Sequence, residues 1–189
     1  MEFWYDFAST YSYLVARRVA AATQVNNIKW RPFLLGPIFK AQGITDAPAK
    51  ANPVKGRYMW RDLERRAERY GYAFRKPSQF PRNPLLAARV ATQDEPWVPD
   101  FTVRLFRANF EQDRDMDANE IAAVLTEMGI DAQRVLDRAN SEEVKLKLKD
   151  RTADAMARGI FGAPTFLVGD EMFWGDDRFE DALDWANKK

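Results

Sequence analysis

The first fourteen residues constrain this chain more than any other stretch. An apolar aromatic run, Phe3-Trp4-Tyr5, is cut by Asp6-Phe7-Ala8-Ser9-Thr10 and gives way to Tyr11-Ser12-Tyr13-Leu14. An unbroken apolar run, a polar break and then residues at helical spacing read as buried strand, loop and helix. Tyr11, Val15, Val19 and Ala22 carry that spacing to about residue 24, and Asn26-Asn27 ends it. Ile28-Lys29-Trp30-Arg31-Pro32-Phe33 then alternates as a second strand. Strand, helix and strand in so short a span predict parallel pairing through a right-handed crossover. Ser9 and Thr10 fall where a helix cap belongs. A hydroxyl is thereby delivered to the positive end of a helix dipole, an anion site by construction.

The residue types narrow the chemistry. Among 189 residues there is no cysteine and no histidine. Disulfides, thiolate zinc sites, cysteine nucleophiles, Ser-His-Asp triads and imidazole bases are excluded. Any reaction must use hydroxyls, carboxylates, lysine, arginine or backbone dipoles, or a reactive group brought by a cofactor. No metal is required by these residues. A net charge of +1 argues against nucleic acid or an anionic membrane surface as partner. No apolar run approaches the ~18 residues of a spanning helix, and the N-terminus lacks a secretory pattern, so a cytoplasmic location is expected.

Residues 34 to 56 lose periodicity and are punctuated by Gly36-Pro37, Gly43, Pro48, Pro53 and Gly56, with one short helix around Ile38-Phe39. The stretch reads as a long loop, either functional or poorly ordered, that carries Lys50 and Lys55. Helices resume at Tyr58, with stripes at Met59-Leu63-Ala67-Tyr70, Trp97-Phe101-Leu105-Ala108 and Ile121-Leu125-Met128. Pro84 opens a helix, Val135-Leu136 lies in a short one, and Ser141 caps one running to about Arg158. The last thirty residues change character. Thr165-Phe166-Leu167-Val168, the hairpin signal Gly169-Asp170 and Glu171-Met172-Phe173-Trp174 precede Gly175-Asp176-Asp177 and a terminal helix. The layout is βαβ, a long all-helical insertion, then ββα: an α/β, thioredoxin-like plan. Its two parts are residues 1–35 with 159–189, and a helical insertion over 36–158 whose last helix packs on the sheet.

Five pieces resemble the 2-hydroxychromene-2-carboxylate isomerase family, a sister of kappa-class glutathione transferases and DsbA-like oxidoreductases. They are Tyr5 to Leu14, Pro32 to Gly36, Lys55-Gly56-Arg57-Tyr58, Phe161 to Phe166, and Phe173 to Arg178, in the family's order across essentially the whole chain. Where the oxidoreductases carry Cys-x-x-Cys, this chain has Ser9-Thr10-Tyr11-Ser12, so disulfide exchange is impossible from that site. The resemblance implies glutathione as cofactor, with Ser9 holding its sulfur as thiolate. A free thiol titrates near ~8.5, and a helix N-terminus with a hydroxyl donor favours the thiolate.

The resemblance also assigns roles that the residues alone leave open. Ser9, Asp176 and Asp177 are good caps in their own right, Lys55 reads as solvated, and Ser12 as satisfying local backbone. By resemblance Lys55 takes the glycyl carboxylate and Ala163, before a cis Pro164, pairs with the glutathione backbone. Asp176 and Asp177 take the γ-glutamyl end. The family's asparagine before Lys55 has no clean counterpart; Ile44 is near its place and Asn52 is displaced. Trp4, Tyr5, Phe33 and Trp174 read as core, and Trp174 is also a candidate wall for an aromatic substrate. Arg31, Arg82 and Ser12 are further substrate candidates. The expected activity is glutathione-dependent isomerisation of a small aromatic carboxylate in aromatic catabolism, by a homodimer. A kappa-like glutathione transferase and a non-catalytic glutathione- or peptide-binding module are the rivals.

Overall fold

A computed structural model describes residues 1–23, 26–44 and 52–188. Lys50 and Pro48 lie outside the described residues, as does position 24, where the first helix was expected to end. The first strand, β1 (Glu2–Tyr5), pairs in parallel with β2 (Lys29–Pro32), Phe3 opposite Trp30. Between them runs α1 (Thr10–Thr23). The second edge of β1 pairs antiparallel with β3 (Thr165–Val168), which turns through Gly169-Asp170 into β4 (Glu171–Trp174). The sheet order is β2-β1-β3-β4. The chain's opening strand is therefore internal to the sheet, and this is the thioredoxin arrangement.

Helices fill the interval between β2 and β3: α2 (Leu35–Ala41), α3 (Pro53–Tyr70), α4 (Leu85–Ala91), α5 (Val98–Phe110), α6 (Ala118–Glu127), α7 (Ala132–Ala139) and α8 (Glu142–Ala157). A 3-10 turn (Asp176–Arg178) leads into the terminal α9 (Phe179–Asn187). Ser141 caps α8 as its sequence predicts, accepting from the Val144 N–H at 3.3 Å.

Both faces of β1 are buried, which explains its unbroken apolar sequence. Phe3 and Tyr5 join the large core beneath α1 and α5, Phe3 stacking on Tyr5 at 4.9 Å. Trp4 points to the other face, into a smaller cluster with Phe33, Ala155 of α8 and Leu167. The large core is continuous across the sheet and the intervening helices, so the floor beneath α1 includes α5.

Candidate functional site

Ser9 directly precedes α1. Its Oγ accepts the Ser12 N–H at 3.1 Å, and its carbonyl accepts the Tyr13 N–H at 3.2 Å. That is N-cap geometry, and it satisfies one of the donors a helix start leaves orphaned. The hydroxyl proton points the other way, to the Ala163 carbonyl at 2.9 Å, across 154 positions of sequence. The Ala163–Pro164 peptide is cis, as is Phe80–Pro81. Ser9 is only 8% exposed, so its hydroxyl forms the floor of the site. The Ala163 N–H makes no hydrogen bond to another described residue. A hydroxyl on a helix N-terminus beside a free peptide N–H can hold an anion and one edge of an extended peptide.

The loop that carries Ser9 is fixed from below. Asp6 is 1% exposed; its Oδ1 accepts the Ala8 N–H and its Oδ2 the Leu35 N–H, both at 2.7 Å. Burial pushes its carboxyl up to about 6, against the pull of those two donors. Phe7 is fully buried against Tyr5, Phe101 and Phe106. Above the loop, α3 lies across the start of α1: the Thr10 hydroxyl reaches Met59 Sδ at 3.9 Å, and the Tyr11 hydroxyl donates to Asp62 at 3.0 Å.

On the far side, the Gly175 N–H donates to the Pro164 carbonyl at 3.0 Å, joining the end of β4 to the cis turn. Gly175 has φ +119°, and a Cβ there would lie 2.5 Å from Asp177 Oδ1, so glycine is required. Asp177 is exposed and pairs with Arg178 at 3.3 Å. Asp176 is not: it is 1% exposed, with Arg66 at 2.9 Å and Arg18 at 3.6 Å. Its Oδ2 is close to Arg66 without an aligned hydrogen bond. Burial raises its carboxyl to about 6, with both guanidiniums pulling the other way.

Several expectations change on inspection of the site. Lys55 lies in the first turn of α3, which begins at Pro53 and not at Tyr58. Asn52 caps that helix, accepting the Lys55 N–H at 3.0 Å, so its side chain is engaged locally. Lys55 remains exposed. Arg82 is 6% exposed and consumed by structure: it donates to Asn109 Oδ1 at 2.6 Å, the Arg114 carbonyl at 2.7 Å and Asp113 Oδ1 at 2.8 Å. Arg31 pairs with Glu2 at 3.1 Å. Ser12 is fully buried, and its Oγ has no hydrogen-bond partner among the described residues. Trp174 is not core: it is 54% exposed and packs edge-on against Phe161, itself 45% exposed, at 4.9 Å. The indole lies on Gly162, where a Cβ would meet Nε1 at 2.5 Å. Sequence reasoning does not place Asp6, Met59 or Asp62 around the Ser9 loop. An acid two residues before a backbone N–H that it can accept is the one local signal that marks Asp6.

The two raised carboxyls give a pH dependence of stability. A folded value near 6 against about 3.9 unfolded means that the folded state binds more protons between those values. Stability therefore falls as pH rises from about 4 through 6, on the order of 1–3 kcal/mol for each group. Asp176→Asn is expected to flatten this fall in thermal melts taken from pH 4 to 7 at constant ionic strength. An unchanged slope counts against it.

Comparison with known proteins places these features in a family. A family model described as a DSBA-like thioredoxin domain matches residues 1–184. The chain is 29% identical over 192 residues to 2-hydroxychromene-2-carboxylate isomerase of Sphingobium xenophagum, covering 95% of this chain and 94% of that one. It is 28% identical to glutathione S-transferase kappa 1 of Rattus norvegicus, covering 95% and 87%. The solved structure of a 2-hydroxychromene-2-carboxylate isomerase superposes with a TM-score of 0.88 at 25% identity, over 99% of this chain and 94% of that one.

Proposed function

The chain belongs to the DSBA-like thioredoxin domain family, and from that premise we propose that it is a glutathione-dependent isomerase of a small conjugated aromatic carboxylate. The reaction is interconversion of 2-hydroxychromene-2-carboxylate and trans-o-hydroxybenzylidenepyruvate, or of a close analogue. Relatives bearing the isomerase name support the reaction type, and the kappa transferase relative supports glutathione. The observation that carries the reading is Ser9 at the helix N-terminus, 2.9 Å from the Ala163 carbonyl, in a chain with no cysteine.

The residues present fit a glutathione tripeptide. Ser9 and the α1 N-terminus would hold its sulfur, the Ala163 N–H, unpaired among the described residues, its backbone, Lys55 its glycyl carboxylate, and Asp177 with the 3-10 turn its γ-glutamyl end. Buried Asp176 serves that end indirectly, by anchoring the turn to Arg18 and Arg66. Glutathione, when bound, supplies a thiolate whose reversible addition to a conjugated double bond permits rotation about it. The Ser9 hydroxyl, which donates to the Ala163 carbonyl at 2.9 Å, would be the donor to the sulfur, and that carbonyl would then be open to a ligand N–H. The hydroxyl's role is electrostatic preorganisation, not proton abstraction. Trp174 and Phe161 offer an aromatic wall beside the turn, and we assign them to the aromatic substrate. The resemblance to the isomerase family adds the expectation of a homodimer.

Loss of chromene-carboxylate absorbance, followed with and without glutathione, tests the reading. Turnover only with glutathione is expected. No glutathione binding by calorimetry removes both this reading and its nearest rival, a kappa-like transferase, which the rat relative favours. Turnover of a generic electrophile but not of the chromene would select that transferase.

A further inference from the structure

We propose that Asp6 is the positioning residue of the Ser9 site, holding the loop that presents the hydroxyl against the start of α2 through one carboxylate oxygen on each. The role of the site rests on the glutathione reading above; the geometry does not.

Asp6 is the first residue beyond β1, where three pieces of the site meet. The Ser9 N–H donates to its carbonyl at 2.9 Å. The Ala8 and Leu35 N–H groups donate to its two carboxylate oxygens, each at 2.7 Å. Leu35 packs in the same apolar cluster as Ala163, whose carbonyl receives the Ser9 hydroxyl. The Asp6 side chain thus ties the loop that carries Ser9 to the start of α2.

The chemistry selects a carboxylate. Two donors converge from different loops, and only an ionised carboxyl offers an acceptor to each. Asparagine would set its amide NH2 against one of the two N–H groups. Among the described residues no cation lies within ion-pair distance of Asp6. The ionisable groups on neighbouring elements are engaged elsewhere: Tyr11 with Asp62, Tyr13 with the Ala73 carbonyl, Arg151 with Asp94, while Lys40 of α2 is not paired with it. A buried charge without a counter-ion is a costly way to hold a loop, and such breaches of local economy cluster at functional sites. Protonation turns one oxygen into a donor and a poorer acceptor, so the hydrogen bond from one of the two N–H groups weakens. Burial brings that event to mildly acidic pH, about 6.

Nuclear magnetic resonance on the native chain tests this without ligand or mutation. The Asp6 carboxyl carbon reports its titration, and hydrogen exchange reports the Ala8 and Leu35 amides. Protection at one or both amides is expected to drop at least ten-fold as Asp6 protonates, and protection that ignores the titration overturns the proposal.

A double-mutant cycle connects the tie to the thiol. Leu35 is the first residue of α2, where proline is tolerated, and Leu34 before it is extended at φ −113° and ψ 121°. Leu35→Pro therefore removes one donor and keeps the helix start, and the leucine packing it loses is common to both Asp6 backgrounds of the cycle. In Asp6→Asn the thiol of bound glutathione, followed by ultraviolet absorbance, is expected to ionise at a pH about one higher than in the parent. In the Asp6→Asn, Leu35→Pro pair that difference is expected to shrink, because asparagine then faces a single donor. Strictly additive effects overturn the coupling. Failure of the native chain to bind glutathione would instead sink the function proposed above, while amide exchange still decides Asp6.

Discussion

Ser9→Ala is expected to lower kcat for glutathione-dependent turnover by about 10²–10³-fold, the loss typical of removing one preorganised donor from a developing anion. The variant keeps its fold. Alanine fits the space, and the lost cap to the Ser12 N–H costs roughly 1 kcal/mol. What disappears is the hydroxyl that donates to the Ala163 carbonyl. The bound thiol then relaxes toward its ordinary value near ~8.5. The deficit should be greatest near pH 6.5 and narrow toward pH 9, where the thiolate forms unaided. Steady-state rates across that range, with glutathione saturating, check this. Equal turnover by parent and variant would remove Ser9 from the mechanism.

Phe7→Ala should cost about 3–5 kcal/mol in urea unfolding. Phe7 is fully buried, with its ring 5.3 Å from Phe106, 5.5 Å from Tyr5 and 6.2 Å from Phe101. It belongs to the site loop, yet its partners Phe101 and Phe106 belong to α5, a helix remote in sequence. Truncation leaves a cavity between loop and helix that rigid aromatic neighbours cannot collapse into. Phe7→Leu keeps most of the volume and should cost under about 1.5 kcal/mol. Because the same ring anchors the Ser9 backbone, Phe7→Ala should also weaken glutathione binding in calorimetry at a temperature where it is still folded. A destabilisation below ~1 kcal/mol would show the loop to be held without it.

How far the sequence discloses this structure depends on how local each cause is. Ser141 and the Gly169-Asp170 hairpin were legible because capping and turn chemistry act over three or four residues. The start of α3 was misjudged because Gly56 reads as a breaker, while the stronger signal, Asn52 before Pro53, is a cap and a first-turn proline. Arg82 was misread for the opposite reason. Its partners Asn109, Asp113 and Arg114 lie 27 to 32 positions away and meet it only once α5 has packed. Asp6 looked like a polar break in a loop, since nothing nearby announces that Leu35 supplies its second donor. Trp174 looked like core because hydrophobicity cannot tell an internal strand from the edge strand β4.

The internal position of β1 also governs when this protein can become itself during synthesis. The strand leaves the ribosome ahead of β2 and β3, and its second edge waits for β3, which emerges about 160 residues later. Until then an aromatic ribbon, Phe3-Trp4-Tyr5, carries an unpaired edge open to other chains. The Ser9 hydroxyl likewise has no Ala163 carbonyl to meet. Nascent chains should therefore need shelter for most of translation, and a message truncated before residue 163 would yield a product without a site, however well its helices form.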